Sequence, residues 1–256
     1  MNQIKTSAPV LSTRGLDKSF GSLVVAKDIE IELPQGVRYA LIGPNGAGKT
    51  TLINLMTGML RPDSGQILLG GEDITALDPE ARVRRGLIRT FQINSLFPHL
   101  TPLEAVTLAV CEREGISRTW WKPVWTYHDA LDEAYDILKS LMLAAVCHRQ
   151  TRELAYGQQR LLEIALALAT KPKVLLLDEP AAGVPREESA ELFTAITSLS
   201  QDITVLFIEH DMNLVFRLAS RIIVMVGGRI LVEGTPAEIS ADPRVREVYL
   251  GGAAHV

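Results

Sequence analysis

The first part of the chain shows the period-two alternation of apolar and polar residues that is typical of strands. Residues 10–33 predict two strands joined by a turn at Lys18-Ser19-Phe20-Gly21. The later half of the second stretch sets apolar residues against acidic ones, which predicts an antiparallel strand with one exposed face. The alternating residues are Asp28, Ile29, Glu30, Ile31, Glu32 and Leu33.

Other apolar runs are continuous rather than alternating. Val174–Leu177 and Val205–Ile208 each predict a strand that is covered on both faces, as in a parallel sheet. Val37–Ile42 is a mostly apolar run after the turn residues Pro34 and Gly36, and it also predicts a strand. Shorter stretches at Gln66–Leu69, Leu87–Phe91, 222–226 and 229–233 predict further strands.

Helical periodicity follows most of these strands. It predicts helices after Gly48, at 102–113, 128–143, 154–169 and 186–200, and short helices in the tail through Tyr249. A further short helix starts at Asp78-Pro79-Glu80 and ends at Gly86. The strands and helices alternate outside 93–153, whereas 93–153 is helical by pattern. We therefore expect an α/β core formed by 1–92 and 154–256, with an inserted helical subdomain at 93–153.

The connection between the two middle helices contains every tryptophan of the chain. Trp120, Trp121 and Trp125 lie within residues 118–125. The sequence is compatible with packing of the small lobe onto itself and with an exposed apolar surface for a partner.

Composition excludes several classes of protein. The chain has 256 residues, a net charge of −4 and a pI of about 5.8, so there is no bulk electrostatic case for nucleic acid binding. The two cysteines, Cys111 and Cys147, have no metal-ligand spacing and are expected to be reduced thiols in a cytosolic protein. No stretch approaches the roughly 18 apolar residues of a membrane span, and the N-terminus lacks the apolar segment of a signal peptide.

A glycine-rich segment between a predicted strand and a predicted helix provides the first candidate chemistry. It reads Gly43-Pro44-Asn45-Gly46-Ala47-Gly48-Lys49-Thr50 and matches the phosphate-loop pattern G-x-x-x-x-G-K-[ST]. Glycines allow backbone N–H groups to surround an anion, and the helix N-terminus adds partial positive charge. Lys49 can reach the β- and γ-phosphates, and the Thr50 hydroxyl can hold Mg²⁺. The segment predicts a nucleoside triphosphate site.

Polar side chains follow three of the apolar strands. Asp178 and Glu179 come at the end of one strand, His210 comes just after a second, and Gln92 comes after a third. Open α/β sheets place their ligands at the carboxyl ends of their strands. Asp178 fits a Mg²⁺ ligand opposite Thr50, and Glu179 can orient or deprotonate the attacking water. His210 could sense the γ-phosphate, and Gln92 could contact both water and metal.

The order of these motifs resembles the nucleotide-binding subunit of an ATP-binding cassette (ABC) transporter. The resemblance rests on the phosphate loop, Gln92, LAYGQQ at 154–159, LLLDEP at 175–180 and the histidine of IEHD at 208–211. It covers nearly the whole chain. It implies a P-loop NTPase core, with a RecA-like mixed sheet and an antiparallel β subdomain, and an inserted helical subdomain. A narrower resemblance, to the subunits that serve branched-chain amino acid uptake, rests on RTFQ at 89–92, LAYGQQRLLEIA, DEPAAG, IEHDM and the final VYLG.

The resemblance implies a role for each candidate residue. ATP would bind the phosphate loop, including Thr51, and Mg²⁺ would be held by Thr50, Gln92 and Asp178. The catalytic residues would be Lys49, Gln92, Glu179 and His210. In a head-to-tail dimer, the segment of Ala155, Gly157 and Gln158 would contact the ATP bound to the other cassette. Phe20 would stack on adenine, although a role as a core side chain is the alternative interpretation.

The resemblance also implies partners. They are a second cassette, identical or paralogous, two membrane permease subunits and, indirectly, a periplasmic solute-binding protein. The chain would lie on the cytoplasmic face of the inner membrane. Two departures from the family's usual LSGGQ segment, Ala155 for serine and Tyr156 for the first glycine, remove a hydroxyl and stiffen the backbone. The loop Ala182–Pro185 lacks the usual aspartate, which is compatible with an asymmetric heterodimer.

Two other functions remain as alternatives to an amino acid importer. One is a soluble ABC-type ATPase of translation or DNA repair, which usually carries a second cassette or a long coiled coil. The other is the ATPase of a lipid or lipopolysaccharide exporter, whose cassettes can also end in VYLG. The LAYGQQ segment argues against the exporter.

Overall fold

A computed structural model describes residues 8–90, 96–116 and 126–250. The predictions for Gln92 and for the three tryptophans lie outside these residues. The chain divides into two compact units. The first contains residues 1–89, 173–179 and 200–256, and the second contains 90–172 and 180–199. The domain bounds expected from the sequence alone stay a prediction.

The described residues form ten strands and nine α-helices. The strands are β1 (Pro9–Phe20), β2 (Leu23–Pro34), β3 (Arg38–Ile42), β4 (Ser64–Leu69), β5 (Glu72–Asp73), β6 (Leu87–Thr90), β7 (Val174–Asp178), β8 (Thr204–Ile208), β9 (Arg221–Val226) and β10 (Arg229–Gly234). The helices are α1 (Lys49–Thr57), α2 (Pro79–Arg84), α3 (Pro102–Arg113), α4 (His128–Ser140), α5 (Tyr156–Ala169), α6 (Arg186–Ser198), α7 (Met212–Leu218), α8 (Pro236–Ala241) and α9 (Pro243–Leu250).

The first unit contains an antiparallel sheet in the order β2-β1-β4-β5. The alternation predicted for β2 is confirmed, since Ile29, Ile31 and Leu33 are buried and the acidic residues between them are exposed. The turn predicted at 18–21 is wrong in position, because β1 continues through Phe20 and pairs it with Leu23. Only Gly21, at φ 59°, and Ser22 remain between the strands.

A second sheet has the order β10-β9-β3-β8-β7-β6. Its centre is parallel, since β3 pairs with β8 and β9, and β7 pairs with β8. Every residue of β7 and β8 is buried, as their continuous apolar runs predict. The carboxyl ends of β3, β7 and β8 therefore meet at one edge of the sheet, and the residues that follow them are brought together.

The core of the first unit joins the two sheets and helix α1. Apolar residues from the inner face of β1 and β2, from α1 and from the parallel strands form one buried cluster. Burial of this much apolar surface is the main stabilising contribution to such a unit. Members with little or no exposure include Leu11, Leu16, Ile29, Leu33, Leu41, Leu52, Leu55, Met56, Leu176, Leu206 and Met225.

The second unit is helical. Helices α3, α4 and α5 pack on one another, and α6 packs on α5. Arg113 of α3 makes a bidentate ion pair with Glu133 of α4, with both N–O distances at 2.7 Å, and also donates to the carbonyl of Ala169 at 2.6 Å. Cys111 and Cys147 are free and each is 2% exposed.

Two predicted helix bounds differ from the structure. Helix α4 ends at Ser140 rather than at 143, because Met142 adopts a left-handed φ of 60° that a helix cannot contain. Helix α5 begins at Tyr156, after a 3-10 turn at Thr151–Glu153. The two-residue strand β5 and the short helix α7 were not predicted, because each has too few residues to show a recognisable period. Among the described residues, no helix has the length and apolar character to cross a membrane.

Candidate active site

The phosphate loop joins β3 to α1 as the sequence predicts. Gly48 is the N-cap of α1 and has a φ of 102°. A Cβ atom at this position would collide with the carbonyl oxygen of Val25 and would lie 2.8 Å from Cε of Met225. Glycine is therefore required here both by backbone conformation and by space. The loop leads directly into the first turn of α1, and a helix N-terminus after a glycine-rich loop is suited to binding an anion.

Lys49 is the charged residue of this loop. It is 7% exposed, and its Nζ donates to the carbonyls of Gly43 at 2.7 Å and Pro44 at 3.1 Å. Burial lowers the pKa of Lys49, while the charges of Glu179 and Asp178 act in the opposite direction. The ammonium group is thus held against the loop where phosphate oxygens can replace the carbonyls as its partners.

Glu179 and His210 meet at the ends of β7 and β8. Oε1 of Glu179 lies 2.8 Å from Nε2 of His210, and the carboxylate can only accept, so Nε2 donates. The backbone N–H of Glu179 donates to the carbonyl of Ile208 at 3.1 Å. Glu179 has a φ of 48°, a conformation that costs a non-glycine residue on the order of 1–3 kcal/mol. The fold holds this carboxylate in place against its own backbone preference.

The phosphate loop and these two residues line one open cleft of about 320 Å³. Leu23 and Val25 at the start of β2 and Ile208 at the end of β8 add apolar surface to it. Leu23 and Val25 were not predicted as site residues, because they belong to no motif. Their place directly after the turn is the one signal that could have indicated them. Phe20 lies just before that turn, is 52% exposed and has Nζ of Lys18 5.6 Å from its ring centre. Its exposure argues against the interpretation as a core side chain.

Asp178 is hydrogen-bonded to a residue that no sequence motif places in the site. Its Oδ2 accepts from the Arg89 guanidinium at 2.6 Å, and the same guanidinium donates to Oδ1 of Asn54 at 2.6 Å. Thr50, at the start of the same helix as Asn54, is exposed. A hydroxyl and a carboxylate are oxygen ligands that suit Mg²⁺, which usually takes one or two protein ligands and completes its shell with phosphate and water. The residues present therefore fit Mg²⁺.

The LAYGQQ segment lies in the helical unit, at the start of α5. Gly157 donates its backbone N–H to Oε2 of Glu188 at 2.7 Å, and Gln158 accepts the N–H of Ala155 at 3.1 Å. Tyr156 accepts a hydrogen bond from Arg160 at 2.8 Å, and the guanidinium lies 5.1 Å from the centre of its ring. The predicted residues Ala155, Gly157 and Gln158 thus form one helix start, and Glu188 is a contact that no sequence motif indicated.

Comparison with known proteins decides the family. The family model described as ABC transporter matches residues 26–182, a span that contains the phosphate loop, the LAYGQQ segment and Glu179. The chain belongs to the ABC transporter family. A second model, described as branched-chain amino acid ATP-binding cassette transporter, matches residues 229–255 of the cassette.

Curated relatives match the cassette over nearly its whole length. It is 40% identical to the high-affinity branched-chain amino acid transport ATP-binding protein LivG of Escherichia coli K12, covering 96% of this chain and 100% of the relative. It is 37% identical to the corresponding protein BraF of Pseudomonas aeruginosa, again covering 96% and 100%.

Solved structures agree with the fold of the cassette. The ADP conformation of an ATP-binding cassette of an ABC transporter matches with a TM-score of 0.83 and 32% identity, covering 96% of this chain and 100% of that one. A nucleotide-free cassette matches with a TM-score of 0.80 and 32% identity, covering 94% and 98%. The predictions of a P-loop NTPase fold, of an ATP-binding transporter subunit and of an ATPase are confirmed by these matches.

Proposed function

We propose that this chain is the ATP-hydrolysing subunit of an importer of branched-chain or related amino acids. The observation that carries the proposal is the cleft in which Lys49, Glu179 and His210 converge beside the phosphate loop. The solute is supported by the names of the curated relatives and by the match of residues 229–255.

The chemistry of the cleft assigns a step to each residue. The loop amides and Lys49 would bind the phosphates, and Thr50, Asp178 and Gln92 would hold Mg²⁺, which would neutralise phosphate charge. Glu179 orients the attacking water and accepts its proton, while His210 holds the Glu179 carboxylate through their 2.8 Å contact. Leu23 and Val25 offer apolar surface beside the loop, and Phe20 stacks on the adenine.

A second cassette completes the site in this proposal. Gly157 and the start of α5 would face the γ-phosphate of ATP bound to that second cassette, with Ala155 and Gln158 beside it. Closure of the pair around ATP, and reopening after hydrolysis, would drive two permease subunits. A periplasmic binding protein would deliver the solute, and the cassette would lie on the cytoplasmic face of the inner membrane.

The test is solute uptake by the organism that encodes the chain. Either substitution, Lys49→Ala or Glu179→Gln, should abolish ATP-driven uptake of radiolabelled leucine, isoleucine and valine. Uptake of an unrelated sugar is the control and should not change. Retention of uptake in both variants would refute the assignment of the importer.

A pull-down from detergent-solubilised membranes separates this proposal from the alternatives. Recovery of permease subunits with an amino acid binding protein supports the importer. Recovery of ribosomal or DNA-repair proteins would instead identify a soluble ABC ATPase, and recovery of a lipid or lipopolysaccharide permease would identify an exporter.

A further inference from the structure

Arg89, at the end of β6, connects two other elements of the first unit. One terminal nitrogen of its guanidinium donates to Asp178 at the end of β7, and the other donates to Asn54 of α1, both at 2.6 Å. The side chains of Arg89 and Asp178 are only 11% and 9% exposed. A buried guanidinium with two polar partners has a fixed position, because breaking either hydrogen bond would leave a buried polar group unpaired and would cost free energy.

The helical partner of Arg89 lies one turn from a residue of the phosphate loop. Asn54 follows Thr50 by four positions in α1, so the two side chains emerge from the same face of the helix. The guanidinium therefore ties Asp178 to the helix that presents Thr50. These are two of the three residues proposed to hold Mg²⁺.

We propose that Arg89 is a positioning residue for the metal site, because its guanidinium fixes the Asp178 carboxylate relative to the helix that carries Thr50. This inference rests on the proposed function. Arg89 engages Oδ2 of Asp178, and the carboxylate keeps lone pairs with which it would hold the metal. In this role Arg89 would act through Asp178 and not as a ligand of the metal.

The geometry of the contact explains why arginine occupies this position. Mg²⁺ demands near-ideal octahedral geometry, so a small displacement between a hydroxyl and a carboxylate ligand weakens its binding. A planar guanidinium offers two donors in a fixed fork that spans Asn54 and Asp178, whereas the ammonium of lysine is a single point charge. If Arg89 contributed only its positive charge, lysine could replace it. If Arg89 positions Asp178 relative to α1, lysine could not.

The experiment compares nucleotide binding with and without the metal, using the full chain and a fluorescent ATP analogue. The measured quantity is the ratio of affinity in Mg²⁺ to affinity in EDTA. Arg89→Lys and Arg89→Met should both lower this ratio by about tenfold, as loss of a partner behind a metal ligand typically does, with little change in EDTA. In the assembled transporter, kcat should fall by a similar factor.

Two further variants test the contact with α1 and provide a control. Asn54→Ala removes the tie to α1 but leaves the Arg89–Asp178 ion pair, so it should lower the ratio even if the Arg89 variants fail to fold. Arg85→Lys is the control, because Arg85 pairs with Glu72 at the surface, away from the cleft. It should keep the ratio of the parent chain.

Three results would overturn the inference. They are full rescue by Arg89→Lys, an unchanged ratio in Asn54→Ala, and equal loss of affinity in Mg²⁺ and in EDTA, which would indicate a purely structural role. Failure of the proposed function looks different, because the parent chain itself would then show no Mg²⁺-dependent ATP binding or hydrolysis.

Discussion

Glu188 places a carboxylate oxygen 2.7 Å from the backbone nitrogen of Gly157, at the first turn of α5. The contact is favourable, because a helix N-terminus attracts negative charge and Gly157 N–H has no partner within the helix. In the proposed dimer, the γ-phosphate on the second cassette would need this same N–H group. Carboxylate and phosphate would then compete for one donor.

Glu188→Gln should therefore destabilise the isolated chain but strengthen ATP binding by the assembled transporter. Loss of the charged acceptor should reduce the free energy of unfolding by about 1 kcal/mol, measured in urea. In the transporter, the KM for ATP should fall, because the phosphate no longer displaces an anion. Glu191→Gln, at an exposed position of the same helix, is the control. A lower stability with an unchanged or higher KM would show that Glu188 is structural only.

Glu179→Gln should separate ATP binding from hydrolysis. The amide keeps the size of the side chain and can still contact His210, but it cannot accept a proton from water. Turnover should fall by at least about 100-fold, the usual contribution of a general base, while ATP affinity is retained. Phosphate release and binding of a fluorescent ATP analogue measure the two quantities. Hydrolysis at the parent rate would remove Glu179 from the role of base. Glu30→Gln, at an exposed residue of β2, should behave as the parent.

Gly48→Ala should damage the phosphate loop far more than Gly46→Ala. Both glycines have left-handed φ angles, 102° and 78°, and alanine costs about 1–2 kcal/mol in that conformation. Only at Gly48 would the added methyl group also collide with the backbone of Val25, whereas nothing lies within 4 Å of the position at Gly46. Urea unfolding of the two variants should differ by more than about 1 kcal/mol. Equal losses would mean that the loop can move aside.

Tyr39 should make the free energy of unfolding of the chain fall at alkaline pH. Burial, followed by the charge of Glu233, raises the pKa of Tyr39 to about 12 from 10. The unfolded chain then ionises first, so the stability due to Tyr39 is complete below pH 10 and is lost as the pH rises towards 12. Tyr39→Phe should reduce this alkaline loss by roughly 2 kcal/mol at pH 12. Urea unfolding at pH 9 and 12 measures it.

Tyr135→Phe is the matched control for this experiment, because Tyr135 is 42% exposed. It should leave the alkaline loss unchanged. The same slope in the Tyr39→Phe variant and in the parent chain would contradict the role of Tyr39.

Local sequence patterns predicted correctly those features that depend on one continuous stretch of residues. The alternation of Ile29, Ile31 and Leu33 predicted the half-exposed strand β2, and the apolar run before Asp178 predicted a strand buried on both faces. The phosphate loop was predicted with both of its flanking elements because its chemistry is contained in eight consecutive residues.

Contacts between distant residues could not be predicted in the same way. Arg89 lies 35 positions from Asn54 and 89 from Asp178, and Gly157 lies 31 positions from Glu188. Nothing in the spacing of these residues indicates that they meet, since the meeting depends on strand order and helix packing. The end of α4 was missed because Met142 adopts a conformation that its residue type does not suggest.

The two cysteines of the helical unit have a practical consequence. Cys111 and Cys147 are each 2% exposed, and burial raises the pKa of both thiols, so neither presents a reactive thiolate to solvent. The native chain can therefore serve as a background for single-site labelling with maleimide probes. A cysteine introduced at an exposed position, such as that of Glu191, would carry a spectroscopic label without prior removal of the native thiols.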